Sequence, residues 1–398
     1  MSPQFASRMD GVHPSFIREI LKVTADPAII SFAGGLPNPA LFPVEEMAEA
    51  AATVLREQGR TALQYSTTEG DPELRSLIAK RYAEKKGFTV DPEDILITTG
   101  SQQCLDMIGK VLIERGAAVA IERPGYLGAI QAFSFFGPDW RTVELVDDGP
   151  VLEDLARVLR DRPRFFYAVP NFQNPSGVTY SAEKRQAVAE LLAGSGVIFV
   201  EDDPYGELRF LGQDQQPLFT RLPGQALLLG TFSKIAAPGF RIGWVVAPQR
   251  IREKLVVAKQ AADLHTSTVI QRVLVHYLKT HDIDAHIARI RENYGRQRQV
   301  MVSAIERHFP AEVSCTRPEG GMFLWARLPE GCSSMELFDL AIARKVAFVP
   351  GDPFYVDGTG GNTLRLNFSN SSEERIEDGI GRLGLCLKEY LARRGGKA

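Results

Sequence analysis

From about residue 94 the chain alternates short apolar runs with amphipathic stretches. The runs are DILITTG (94–100), AAVAIER (117–123), RTVELV (141–146), RFFYAVP (164–170), GVIFVEDD (196–203), ALLLGTF (226–232) and RIGWVVAP (241–248). Several are nearly unbroken Val, Ile, Leu and Phe. A sheet with one wet face alternates apolar and polar residues, so unbroken runs predict strands covered by helices on both faces. Between them SQQCLDMIGKVLIERG, VLEDLARVLRD and SAEKRQAVAELLAG carry apolar residues at helical spacing. That rhythm predicts an α/β domain with a mostly parallel, seven-stranded sheet, assigned to residues 46–285.

The stretch 249–309 reads as almost wholly helical, and the pattern then changes. VSCTRPEGGMFLWARLP predicts two strands around a Gly-rich turn, and TLRLNFS (363–369) a further strand. SSMELFDLAIARKV and SSEERIEDGIGRLGLCLKEYLARR predict helices, each opened by a Ser-x-x-Glu capping box, Ser333/Glu336 and Ser371/Glu374. Residues 286–398 therefore form a smaller α+β domain. Residues 1–45, with a helical PSFIREILKVT and the loop SFAGGLPNPALFP, are too few to fold alone and are expected to pack on it.

Composition narrows the function. The 398 residues carry 46 Lys+Arg against 49 Asp+Glu, a net −3 that leaves no basic excess for nucleic acid. With no apolar run of membrane-spanning length and no signal-like N-terminus, a cytoplasmic protein is expected. Cys104, Cys315, Cys332 and Cys386 are scattered without a CxxC pair, so neither a metal site nor a disulfide framework is expected. His281 and His286, five apart, are read as solvated.

Four segments at strand ends could carry chemistry. In GTFSKIAAPGFRIGW, Lys234 sits between Thr231, Ser233 and Arg241. It is either a snorkelling surface lysine or a desolvated amine able to form a Schiff base, with a phosphate beside it. In VEDDPYGEL, Asp202 and Tyr205 follow a strand where open α/β sheets bind ligands, although this segment alone reads more simply as a polar loop with a helix N-cap. In VPNFQNPSG, Asn174 precedes a proline at a turn. In TTGSQQ the strand passes through Gly100 into a helix whose first amides, at Ser101 and Gln102, are free to bind an anion.

Taken together, in this order and spacing, these motifs resemble the fold-type I pyridoxal-phosphate enzymes, specifically the class I/II aminotransferases near the 2-aminoadipate/kynurenine branch. The resemblance runs from SFAGGLPNP to NTLRLNFS. It implies the fold-type I architecture, pyridoxal 5'-phosphate as cofactor, and transfer of an amino group from an L-amino acid to a 2-oxo acid by a ping-pong route. It implies that Lys234 holds the cofactor and later moves the substrate proton. Asp202 pairs with the pyridine nitrogen, and Asn174 and Tyr205 reach the ring oxygen. Tyr126, in ERPGYLGA, stacks on the ring. Ser101, Gln102, Thr231, Ser233 and Arg241 hold the phosphate. Tyr65, in LQYSTTEG, reaches the neighbouring subunit's phosphate, implying a homodimer. Arg365 clamps the substrate α-carboxylate beside Gly35.

The same residues serve β-eliminating lyases, so that reaction is the alternative. The fold also occurs behind the winged-helix segment of bacterial regulators, but no basic module of that kind is expected here. Arg18, on the N-terminal helix, is either a solvated arginine or a lid residue reading a distal carboxylate on glutamate or 2-aminoadipate. A site that takes these acids and also large apolar or aromatic amino acids is expected.

Overall fold

The computed structural model describes residues 5–9, 20 and 26–395. β1 (Ile30–Ser31) precedes the large sheet. That sheet contains β2 (Ile95–Thr99), β3 (Ala118–Arg123), β4 (Asp139–Val146), β5 (Gly149–Pro150), β6 (Phe165–Ala168), β7 (Ile198–Asp202), β8 (Ala226–Thr231) and β9 (Ile242–Val246). The C-terminal part adds β10 (Ser314–Cys315), β11 (Phe323–Arg327), β12 (Val346–Ala347), β13 (Val349–Pro350) and β14 (Thr363–Asn367).

Each of the seven apolar runs is a strand of the large sheet, in the order β2-β9-β8-β7-β6-β3-β4-β5. The eighth, β5, is a two-residue antiparallel return of edge strand β4 and too short for periodicity to register. β3, β4, β6, β7 and β8 pair in parallel, while β9 runs against both β8 and β2. Strands β6, β8 and β9 are buried along their whole length, as the unbroken apolar runs require. Strand β4, toward the edge, is only partly buried. Because β2, β6, β7 and β8 run the same way, their C-terminal ends meet along one rim of the sheet. Ligands bind at that rim in open α/β sheets.

The region 249–309 is three helices, Gln249–Gln260, Thr268–Thr280 and Ile283–His308. The last packs against the C-terminal helix Glu373–Gly395. Strands β10, β11, β14 and β13 form an antiparallel sheet in that order, and β1 pairs in parallel with β12. One expectation fails here: His286 is buried, because it falls on the same helical face as Ile283, Ile287 and Ile290, and burial lowers its pKa. The capping boxes also differ from their sequence form. Ser333 Oγ accepts from the Glu336 amide at 3.3 Å, but the Ser333 amide donates to Tyr390 Oη (2.8 Å), whose hydroxyl donates to Glu336. At the C-terminal helix the capping hydroxyl is that of Ser372, accepting from the Arg375 amide, not that of Ser371. The expected N-terminal helix and Arg18 lie outside the described residues, apart from Ile20, which is buried among Ala33, Trp325 and Phe354. Among the described residues no helix is long and apolar enough to cross a membrane.

Candidate active site

A cavity of about 410 Å³ opens on the rim of the large sheet. Its walls bring together Gly35, Ser101, Gln102, Tyr126, Asn174, Asp202, Tyr205, Thr231, Ser233, Lys234, Arg241 and Arg365. These residues are spread over more than 300 positions of sequence; most converge because four parallel strands end together, while Gly35 and Arg365 of β14 close the cavity from the other side. Tyr65 does not line this cavity; it is 78% exposed, with its ring edge-on to His265.

One end of the cavity is built to receive an anion. β2 passes through Gly100, at φ 74°, into the helix Ser101–Leu112. The first amides of that helix, at Ser101 and Gln102, have no intrahelical acceptor and sit at the positive end of its dipole. A Cβ on Gly100 would collide with the Arg241 guanidinium, and one on Gly243 would lie 2.6 Å from the Ser101 amide nitrogen. Glycine at both positions therefore leaves room for backbone, guanidinium and ligand to meet. Thr231 Oγ1 accepts from the Ser233 amide at 3.1 Å, holding both hydroxyls beside Arg241. Gln102 turns its amide to the Gly128 carbonyl (2.9 Å), tying the helix start to the loop that carries Tyr126.

Lys234 follows β8 in a short 3-10 turn, Phe232–Lys234. Its Nζ donates to the Gly35 carbonyl at 3.1 Å. Burial, together with the nearby positive charges of Arg365 and Arg241, lowers its pKa to about 8. An amine in this state gives up its proton far more readily than a surface lysine.

Asp202 is the last residue of β7 and only 2% exposed. Burial raises its pKa to about 7, opposed by the Tyr167 hydroxyl, which donates to Oδ2 at 2.7 Å. Its other oxygen, Oδ1, has no hydrogen-bond partner among the described residues. A buried carboxylate oxygen without a donor is costly, so this one fits a ligand N–H delivered into the cavity. The neighbouring Asp203 accepts from Asn171 Nδ2 (2.9 Å) and does not line the cavity.

The opposite wall belongs to β14. Arg365, 1% exposed, donates from Nη1 to Asn174 Oδ1 and from Nη2 to the Ala33 carbonyl, each at 2.7 Å. Its guanidinium lies 4.4 Å from the Phe323 ring centre and 5.4 Å from that of Phe354. Burial pulls its pKa down to about 10, so it remains a cation at neutral pH. Nε is buried and unpartnered among the described residues. Asn174 Nδ2 and Tyr205 Oη stand 3.5 Å apart, and burial raises the pKa of both Tyr205 and Tyr126, the latter to about 12. Their phenols are therefore neutral donors.

Sequence reading missed two supports. Tyr167 was legible only as one apolar residue of RFFYAVP, and nothing local announces that it donates to Asp202. Glu122 is buried and takes hydrogen bonds from Tyr180 Oη (2.6 Å), the Val169 amide (3.1 Å) and Gln173 Nε2 (3.2 Å). It thereby fixes the turn that presents Asn174. Among the described residues no cluster of His, Cys, Asp and Glu could hold a metal ion.

Residues 32–383 match the family described as aminotransferase class I and II. The chain is 46% identical over 397 residues to a 2-aminoadipate transaminase of Thermus thermophilus, covering 98% of each. It is 41% identical to aromatic-amino-acid aminotransferase 1 of Thermococcus litoralis, over 97% of this chain and 94% of that one. Among solved structures it superposes with a TM-score of 0.91 on an α-aminoadipate aminotransferase from Thermus thermophilus complexed with N-(5'-phosphopyridoxyl)-L-leucine. That protein is 45% identical, and 98% of each chain is covered.

Proposed function

From the premise that the chain belongs to the class I and II aminotransferases, and so is a pyridoxal 5'-phosphate-dependent aminotransferase, we propose the roles and substrates that follow. The enzyme moves an amino group between an L-amino acid and a 2-oxo acid such as 2-oxoglutarate, in two ping-pong half-reactions. Its amino acids are 2-aminoadipate, glutamate and large apolar or aromatic residues. The observation that carries this reading is the pairing, in one cavity, of the desolvated Lys234 amine with the unpartnered Asp202 oxygen.

When bound, pyridoxal phosphate supplies the electron sink for the substrate Cα and the temporary seat of the amino group. The residues present fit it. Ser101, Gln102, Thr231, Ser233 and Arg241 form the phosphate seat, where amides, hydroxyls and one guanidinium converge on an anion. Asp202 Oδ1 would accept the pyridine N–H and keep that nitrogen charged. Tyr126 would line the face of the ring, and Asn174 and Tyr205 would donate to its oxygen. Lys234 Nζ would hold the cofactor covalently and would take and return the proton at the substrate Cα. Arg365 pairs with the α-carboxylate beside Gly35, which fixes which Cα bond faces Lys234. Tyr65, exposed on its own subunit, completes the phosphate seat of the other protomer in a homodimer.

A half-reaction screen tests the reading. Purified holoenzyme is mixed with single amino acids, and conversion of the cofactor to its amine form is followed by absorbance. Conversion by glutamate, 2-aminoadipate and leucine or phenylalanine, reversed by 2-oxoglutarate, is the expected result. Continuing release of ammonia together with a 2-oxo acid, beyond one equivalent per cofactor and without any acceptor, would assign a β-eliminating lyase instead.

A further inference from the structure

A buried lysine lies behind the anion seat and takes no part in the chemistry described above. Lys259, on the helix Gln249–Gln260, is fully buried. Its Nζ donates to Gln103 Oε1 (2.7 Å), to the Asp263 carboxylate (2.9 and 3.1 Å) and to Thr266 Oγ1 (3.0 Å). Burial lowers its pKa and the Asp263 carboxylate opposes that shift. Leaving such a cation without its acceptors would be costly, so their geometry is strongly fixed.

All three acceptors are tied to the seat, Thr266 through its Oγ1, 3.2 Å from Thr99 Oγ1. Gln103 Oε1 also accepts the Thr99 amide at 2.8 Å, and Gln103 Nε2 donates to Asp263 Oδ2 at 2.7 Å. Thr99 Oγ1 donates to the same Asp263 oxygen at 2.9 Å. Thr99 is the last residue of β2, and Gln103 lies in the first turn of the helix. Between them stand only Gly100, Ser101 and Gln102. The strand end and the helix start are thus clamped to one buried charge, with the left-handed Gly100 and the two seat amides held between the jaws.

We propose that Lys259 is a positioning residue for the phosphate seat: through Gln103 and Asp263 it fixes the turn that aims the Ser101 and Gln102 amides. The inference rests on the reading of that seat given above. It predicts a selective defect, because the clamp touches the phosphate end of the cavity and not the ring end.

The test compares binding of pyridoxal phosphate and of pyridoxal, which lacks the phosphate, to apoenzyme by fluorescence titration. In the unaltered protein the phosphate form should bind far more tightly. In Lys259→Met the affinity for pyridoxal phosphate should fall on the order of tenfold or more, the scale of one misaligned charged hydrogen bond. Affinity for pyridoxal should stay within about twofold. Equal losses for both ligands, or no loss for either, would overturn the proposal. Should Lys259→Met fail to fold, Gln103→Met decides: it leaves the Lys259–Asp263 pair and the Thr99 hydroxyl's bond to it in place but releases the helix start and the Thr99 amide from the clamp, and the same selective loss is expected. If the unaltered protein itself does not prefer pyridoxal phosphate, the reading of the seat fails rather than the clamp.

Discussion

The Tyr167 hydroxyl donates to Asp202 Oδ2 at 2.7 Å and leaves Oδ1 of the same cavity-lining carboxylate without a partner among the described residues. The two residues sit on adjacent parallel strands, where β6 and β7 pair Ala168 with Glu201, and so meet behind the rim. Tyr167 orients one oxygen and favours the charged form, while burial pushes the pKa up to about 7.

Removing that donor should show in the pH profile. In Tyr167→Phe the ionised form of Asp202 loses its hydrogen bond, so its pKa rises further. A hydrogen bond to a charged group contributes about 1.5–3 kcal/mol, or roughly one to two pH units. The acid limb of kcat/KM should therefore move upward, with activity most depressed at and below neutral pH and recovering as the pH rises. A uniform loss at every pH would reduce Tyr167 to a packing residue.

The two adjacent aspartates should behave very differently. Asp202→Asn removes the charge that faces the cavity and should lower kcat on the order of 10²-fold or more. Asp203→Asn alters a group bonded to Asn171 outside the cavity and should cost only a few-fold. Steady-state rates of both variants against one donor and 2-oxoglutarate decide the assignment, and the reverse ranking refutes it.

Lys234 should be the site of covalent attachment. Borohydride reduction of holoenzyme followed by peptide mapping is expected to find the cofactor on the peptide containing Lys234. Lys110 and Lys254 are exposed on helices outside the cavity and should carry none. Lys234→Ala should lose transamination by orders of magnitude while retaining cofactor non-covalently. Label on another lysine would overturn the proposed mechanism.

Substrate side chains provide the remaining test. If Arg18 pairs with a distal carboxylate, Arg18→Ala forfeits about 1.5–3 kcal/mol for acidic substrates only. That corresponds to ~10–100-fold in kcat/KM for glutamate and 2-aminoadipate. Leucine and phenylalanine should be nearly unaffected. Equal losses for both classes would show that Arg18 supports the site without reading the side chain.

What the sequence determined by itself follows from local rules. Nearly unbroken apolar runs marked the central strands of the large sheet, because a strand buried on both faces has no polar positions to lose, while the partly buried β4 showed only as a mixed run. Motifs at the ends of those runs placed Lys234, Asp202, Asn174 and Gly100 at the rim, since chain direction alone puts the C-terminal ends of parallel strands together; Arg241 joins them at the start of β9, which runs the other way. The tertiary structure decided what depends on distant partners. Tyr167 reaches Asp202, Arg365 reaches Asn174 across 191 positions, and Lys259 reaches Gln103 across 156. His286 proved buried, whereas the cap of the C-terminal helix at Ser372 rather than Ser371 is local, set by the Arg375 amide three residues on. Spacing along the chain specifies which face a residue occupies, whereas burial, pKa and the choice of hydrogen-bond partner are set by whatever another segment brings to that face.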